Sequence, residues 1–249
     1  MFQRLFRTTA SPAEQWVSVA HGAVELPVLV RRSARATRYS LRVRAAEQAV
    51  VLTIPQRASL SGALAFANRY AGWIAQRIAR LPGSVPFEAG QHLPLRGVDH
   101  LVVHRSGARG TVWTEVSADG APLLVVAGAA EHLARRLRDF LRREARRDLD
   151  VAVARHAKSL NVTIKKLSIK DTVSRWGSCS SSGNLSFSWR LILAPPTVLD
   201  YLAAHEVAHR MEMNHSNRFW TIVRRLDPAM DAAEAWLKRN GGALHRFGA

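Results

Sequence analysis

The sequence predicts an α+β fold, in which a β-rich amino-terminal part with one helix precedes a domain with a small sheet and several helices. Two observations lead to this prediction. Short runs rich in β-branched residues dominate the chain up to about residue 127, and long stretches with apolar residues at helical spacing dominate after it. We therefore expect two domains, residues 1–127 and residues 128–249. With 47% hydrophobic residues, the chain can bury a sizeable core.

The first part of the chain is expected to form strands around one helix. The predicted strands lie at residues 24–30, 39–43, 50–54, 93–95, 99–103, 111–116 and 123–126. Pro55 ends the third of them, and Gly97, Gly107, Gly110 and Gly120 separate the later ones. Apolar residues recur at helical spacing from Leu60 to Leu81, and Pro82 with Gly83 ends this helix.

The second part is expected to be mainly helical. The predicted elements are a long helix over residues 131–160, strands over 164–169 and 184–193, a helix that starts at 195, and two further helices over 216–226 and 229–238. Thr197 and Asp200 can form a capping box at the start of the helix that begins at 195. Asn240 and Gly241 are expected to end the last helix.

Charge and cysteine content exclude several classes of protein. The 36 Lys and Arg residues against 19 Asp and Glu residues give a formal charge of +17. The single cysteine, Cys179, excludes an intramolecular disulfide and a cysteine-rich zinc module. No apolar run approaches the roughly 20 residues of a membrane span, and no apolar segment follows the basic start. We therefore expect a cytoplasmic protein with no membrane partner.

One face of the predicted helix 131–160 is rich in arginine, which has two interpretations. The face is either solvated or bound to an anionic partner, as the net charge invites. The arginines are Arg135, Arg136, Arg138, Arg142, Arg143, Arg146 and Arg147. No nucleic-acid-binding motif accompanies them, so weak, sequence-indifferent binding of nucleic acid or other anions is the most that we expect.

The pattern H-E-x-x-H, formed by His205, Glu206 and His209, predicts a metal site. Residues four apart lie on one face of a helix, so both histidines can bind one ion there. Glu206 lies about 100° further round the helix, near the ion, where it can take a proton from water. Zinc in this role needs three protein ligands and one open position.

The third ligand is expected downstream of the helix. His215 follows His209 by six residues, and a turn at Asn214 would bring it back toward the ion. Glu212 or Glu234 could instead supply a carboxylate ligand.

Several other residues have both a structural and a functional interpretation. Arg175 and Trp176 either pack in the domain or line the substrate cleft, next to a sheet edge with which a peptide could pair. Cys179 could be a fourth ligand or a nucleophile, but a small buried hydrophobe is favoured. His156 is expected on the buried side of its helix. Arg175 and the turn over residues 215–218 are the candidates for donating hydrogen bonds to the negatively charged oxygen that forms on a substrate carbonyl during hydrolysis.

Six segments in the second half of the chain form a distinctive set: R-W-G-S-C-S from 175, N-L-S-F-S-W from 184, R-L-I-L-A-P-P from 190, H-E-V-A-H from 205, N-H-S from 214 and F-W from 219. With this set the chain resembles the YgjP-like predicted metal-dependent hydrolases, which are related to the SprT-type and WLM zinc metallopeptidases. The resemblance extends more loosely to residues 31–54 and 71–74, so it covers most of the chain. The resemblance implies a minimal zincin-like domain. It also implies one zinc ion held by His205, His209 and His215, with Glu206 as general base.

The predicted function is therefore that of a zinc-dependent hydrolase, with a peptidase that acts on peptides or proteins as the favoured form. One alternative is a zinc hydrolase of a phosphate-bearing small molecule such as a nucleotide, which arginines around the ion would favour. Another is a non-enzymatic nucleic-acid-binding module with structural zinc, for which a fourth protein ligand would be expected. No oligomeric state is predicted.

Overall fold

The computed structural model describes residues 14–44, 49–79, 83–172 and 175–248. It has the predicted α+β class, and the chain divides into two compact units between Gly83 and Ser84. Sequence analysis places the domain boundary near residue 127 instead. The expected end of the first helix, Leu81 and Pro82, lies outside the described residues.

The first unit is a mixed sheet with two helices. Its elements are β1 (Glu14–His21), β2 (Val24–Ser33), β3 (Ser40–Arg44), β4 (Ala49–Pro55), α1 (Leu60–Arg69) and α2 (Ala71–Ala79). The strand order is β1-β2-β4-β3, with β2 and β4 parallel. The helices share a buried core with alternate residues of the strands, among them Val28, Val30, Leu52 and Ile54.

Two features of this unit differ from the prediction. The expected helix 60–81 is two helices, because the chain leaves the helical conformation at Tyr70 (φ −104°, ψ 16°). The apolar spacing continues across that break, which is why periodicity alone reads it as one helix. Strand β1 was not predicted, although its whole length pairs antiparallel with β2.

The second unit contains two further sheets and four helices in the described part of the chain. Its elements are β5 (His92–Leu95), β6 (Val98–Arg105), β7 (Val112–Val116), β8 (Pro122–Ala127), α3 (Leu133–Leu160), β9 (Lys166–Lys170), β10 (Gly177–Cys179), β11 (Asn184–Ser188), α4 (Pro196–Ala208), α5 (Asn217–Leu226) and α6 (Met230–Leu244). The larger sheet has the order β5-β6-β8-β7. Leu93, Leu124 and Val126 of this sheet lie in one core with Leu137 and Leu141 of α3. This shared core explains why residues 84–127 group with the second unit.

The smaller sheet has the order β10-β11-β9, with β10 and β9 as its outer strands. Arg142 and Arg146 of α3 donate to the backbone carbonyls of Ile169 and Leu167 in β9, at 3.3 and 2.9 Å. These two arginines of the basic face therefore occupy hydrogen-bonding groups of an outer strand rather than only facing solvent.

The predicted strand 184–193 ends early. Only Asn184–Ser188 is extended, and Trp189–Leu193 forms a 3-10 turn whose five residues are all buried. Leu185, Phe187 and Trp189 are nevertheless core residues. A short apolar run between turn signals fits either a buried strand or a buried helical turn, so the sequence does not separate the two.

Helix α4 is largely buried, with nine of its 13 residues in the interior. Its start differs from the prediction. Pro195 occupies the N-cap position, and no side chain caps the helix there. Asp200 does not close a capping box with Thr197, because its carboxylate accepts hydrogen bonds from Arg155 and His156 of α3. His156 is buried, as predicted, and ties α3 to α4.

The last two helices confirm one boundary and correct another. Ser216 is the N-cap of α5, and its hydroxyl accepts a hydrogen bond from the Phe219 backbone amide. Helix α6 continues past Asn240 and Gly241 to Leu244, and the Asn240 side chain donates to the Trp236 carbonyl within the helix. Among the described residues, no helix combines the length and apolarity that crossing a membrane requires.

Candidate metal centre

The three histidines predicted as metal ligands come from two elements and the turn between them. His205 lies in the last turn of α4, and His209 is the residue that caps this helix. The chain then reverses, and the Asn214 side chain accepts a hydrogen bond from the Ser216 amide at 3.2 Å. This turn returns His215 to the histidines of α4, as the spacing predicts.

The nitrogen donors of these histidines form one compact cluster. One donor atom from each of His205, His209 and His215 lies within 4.8 Å of the others. The Nε2 atoms of His205 and His215 are 3.1 Å apart. Two nitrogens bound tetrahedrally to zinc at 2.0–2.1 Å are separated by about 3.3 Å, so this spacing fits a shared zinc ion. Neither Glu212 nor Glu234 has its carboxylate in this cluster.

Neighbouring groups hold the rings in place, and burial favours the neutral form of His205 and His209. His209 Nδ1 is bonded to the Glu212 carbonyl oxygen at 3.1 Å, so its Nε2 is left for the cluster. Phe219 stacks on His209 at 4.5 Å and meets the edge of His205 at 4.9 Å. Burial lowers the pKa of His205 to about 4, and it also lowers the pKa of His209. The neutral imidazole is the form that binds a metal ion.

Glu206 points away from solvent beneath strand β10. Glu206 is only 5% exposed to solvent. Burial raises the pKa of Glu206 to about 7, and the Arg175 guanidinium acts in the opposite direction. A Cβ atom built on Gly177 would lie 2.4 Å from Oε1 of Glu206, so the absence of a side chain at this position makes room for the carboxylate.

The remaining predicted residues lie around this centre. Arg175 is exposed immediately before β10, and Trp176 is half-buried with its ring 4.9 Å from that of His245. Cys179 is half-buried in β10 and lies outside the histidine cluster. Burial and Glu206 raise the pKa of the Cys179 thiol, which favours the protonated form over the nucleophilic thiolate.

A cavity of about 340 Å³ opens beside Glu206. Its lining consists of Trp176, Gly177, Tyr201, Leu202, His205, Glu206, Glu234, Leu237 and Lys238. Sequence analysis did not assign Tyr201, Leu202, Leu237 or Lys238 to the site. Tyr201 lies one helical turn before His205, so the i, i+4 rule could have placed it on the same face. For Leu237, the sequence carries no such signal.

Comparison with known proteins gives a family match and a similarity to a solved structure. The model of the YgjP-like metallopeptidase domain matches residues 37–240, which include the three histidines and Glu206. A search of the curated proteins found no match. Among solved structures, the crystal structure of the metallopeptidase zymogen of Pyrococcus abyssi abylysin is 18% identical. The match covers 41% of this chain and 99% of the abylysin chain, with a TM-score of 0.35.

Proposed function

The chain belongs to the YgjP-like metallopeptidase family and is a metal-dependent hydrolase, and from this premise we propose that it is a zinc peptidase with Glu206 as general base. The observation that carries the proposal is one juxtaposition. Nitrogen donors of three histidines, a buried carboxylate and an open cavity meet at the end of α4. In this proposal His205, His209 and His215 hold one zinc ion.

Each residue of the centre has a part in peptide hydrolysis. A zinc ion held by His205, His209 and His215 would act as a Lewis acid, which would lower the pKa of water toward about 7 and polarise a carbonyl group. Glu206 takes a proton from the water that attacks the scissile carbonyl and passes it to the leaving amine. Arg175, exposed and close enough to affect the Glu206 pKa, is the candidate for stabilising negative charge on the carbonyl oxygen.

The outer strand β10 supplies a place for the peptide backbone. In the described part of the chain, β10 pairs with β11 on one side only, in antiparallel register from Gly177 to Cys179. An extended peptide can add to such an edge through main-chain hydrogen bonds. Gly177 lies directly over Glu206, so a peptide on this edge passes next to the proposed base.

The surroundings of the centre favour a peptide over the two alternatives. A phosphate-bearing substrate calls for several cationic side chains. Among the described residues that line the cavity, Lys238 is the one Lys or Arg, and it is paired with Glu234 at 2.8 Å, while Arg175 lies outside this lining. A structural zinc site calls for four protein ligands, and the cluster found among the described residues has three.

The proposal is tested by metal analysis and a cleavage screen on the same preparations. We expect about one zinc per chain, and cleavage of unstructured peptides but not of nucleotides. Glu206→Gln should retain zinc and lose at least about 10²-fold in turnover, the usual contribution of a positioned acid–base. Glu131→Gln, at an exposed position on the same unit, serves as the matched control. Nucleotide hydrolysis without peptide cleavage would overturn the proposal.

A further inference from the structure

We infer that the cavity beside Glu206 is a specificity pocket for one large apolar side chain of the substrate, with an aromatic side chain preferred. This inference rests on the proposed peptidase function and adds the substrate class. Its volume of about 340 Å³ lies at the lower end of the roughly 300–1,000 Å³ found for small-ligand sites. The cavity therefore suits a single side chain rather than a folded segment.

The walls of the pocket are mainly apolar. Tyr201 and Leu202 of α4 form one wall and are themselves almost fully buried, and Leu237 of α6 and the Trp176 indole form others. Burial raises the pKa of Tyr201 to about 12, with Glu234 and Glu206 adding to the effect, so the phenol stays neutral. An apolar side chain that leaves water for these walls gains the usual hydrophobic free energy.

Contacts behind the walls hold the pocket in one shape. The Trp176 ring packs on His245, and a Cβ atom on Gly241 would lie 3.2 Å from Cζ2 of Trp176. The small residue in α6 thus lets the indole lie close against the helix. Tyr201 meets His205 at 6.0 Å between ring centroids, edge to face. The pocket is therefore continuous with the proposed reaction centre.

Charge at the pocket selects against acidic substrate side chains. Glu206 and Glu234 both contribute to the lining, and Lys238 is 70% exposed and already paired with Glu234. A substrate carboxylate would meet the buried Glu206, and in the described part of the lining the cation Lys238 is already engaged by Glu234. We expect the order aromatic or leucine, then alanine, then aspartate.

The experiment uses quenched fluorescent peptides that differ only at the residues flanking the scissile bond, with the cleaved bond located by mass spectrometry. At one flanking position, kcat/KM for Phe should exceed that for Ala by about 10- to 100-fold. Leu237→Trp fills the pocket and should reverse this preference. Leu226→Trp makes the same change at a half-buried leucine outside the cavity, and this variant should retain the preference for Phe over Ala. Zinc content is measured for every variant.

The outcomes separate this inference from the function on which it rests. Absence of peptide cleavage, or cleavage that survives Glu206→Gln, overturns the proposed function and the pocket with it. Glu206-dependent cleavage with equal kcat/KM for Phe, Ala and Asp overturns the pocket alone. If Leu237→Trp does not fold, Leu237→Ala enlarges the pocket and should shift the preference from Phe to Trp. An unchanged preference in that variant would also overturn the pocket.

Discussion

Replacing Gly177 by alanine places a methyl group against the carboxylate of Glu206. The new Cβ atom would lie 2.4 Å from Oε1, 2.7 Å from Cγ and 2.8 Å from Cδ of that side chain. Favourable contacts between heavy atoms lie at about 3.5–4.0 Å, so the overlap amounts to about 1 Å. Neither partner retreats easily, because Glu206 is buried and Gly177 is held by its antiparallel pairing with Phe187.

The expected consequence follows from the size of that overlap. Overpacking in a well-packed region typically costs about 1–3 kcal/mol, and here the cost is reduced if the carboxylate moves aside. A misplacement of about 1 Å in a reacting group lowers turnover by about 10²-fold. We therefore expect Gly177→Ala to lower kcat about 10²-fold with little change in KM. Zinc content should not change, because no histidine is displaced.

The assay is steady-state peptide cleavage alongside metal analysis and thermal unfolding. Gly107→Ala is the matched control, since a Cβ atom there meets no heavy atom within 4 Å. Turnover equal to that of the wild type in Gly177→Ala would refute the reasoning. It would mean that the carboxylate beneath β10 is not in the position from which it reacts.

Further predictions concern the metal, the base, the surface charge and acid stability. His205→Ala should abolish zinc binding and His215→Ala should weaken it, as measured by metal content after dialysis; unchanged affinity in the second variant would contradict its role as ligand. Glu206→Gln should bind zinc as tightly as the wild type in a competition titration with a chelator, and weaker binding would make it a ligand instead of a base. Nucleic acid should bind weakly and lose affinity steeply with salt, because each neutralised phosphate on duplex DNA adds about −0.9 to the slope of log K against log salt; tight binding at high salt would contradict this. Burial alone would raise the pKa of Asp171, but Arg190 together with Trp189 and His245 outweighs burial and holds this pKa below the ordinary value. The ion pair should therefore stabilise the fold above the ordinary aspartate pKa and lose that effect as the pH falls through the lowered value. The difference in melting temperature between wild type and Asp171→Asn should shrink in acid, and a constant difference would refute the linkage.

The residues of the candidate centre could be predicted from sequence because their geometry is local. His205 and His209 are neighbours on any helix, and Asn214 with Ser216 marks the turn that returns His215 to them. The pocket could not be predicted in the same way. Leu237 joins Tyr201 only through the packing of α6 against α4, and this long-range contact leaves no periodic signal.

The errors in the predicted fold also arise from long-range contacts. The run from Trp189 to Leu193 is apolar enough for a strand, but β11 stops at Ser188 and the chain turns into the core. Arg190 stabilises the 3-10 turn by donating hydrogen bonds to the backbone carbonyls of Leu244 and Phe247, which lie near the end of the chain. The partners of that buried charge lie more than fifty residues away, so a window of neighbouring residues does not reveal them.

The two outer strands of the small sheet differ in what they leave open to another chain. Arginines of α3 bind carbonyl groups of β9, and charged side chains at a sheet edge are a known protection against unwanted strand pairing. Strand β10 is only three residues long, and it lies over Glu206. A peptide from another molecule can therefore add as a strand at β10 rather than at β9, and at β10 it lies next to the proposed catalytic base. A peptide that pairs with β10 but resists hydrolysis should consequently act as a competitive inhibitor.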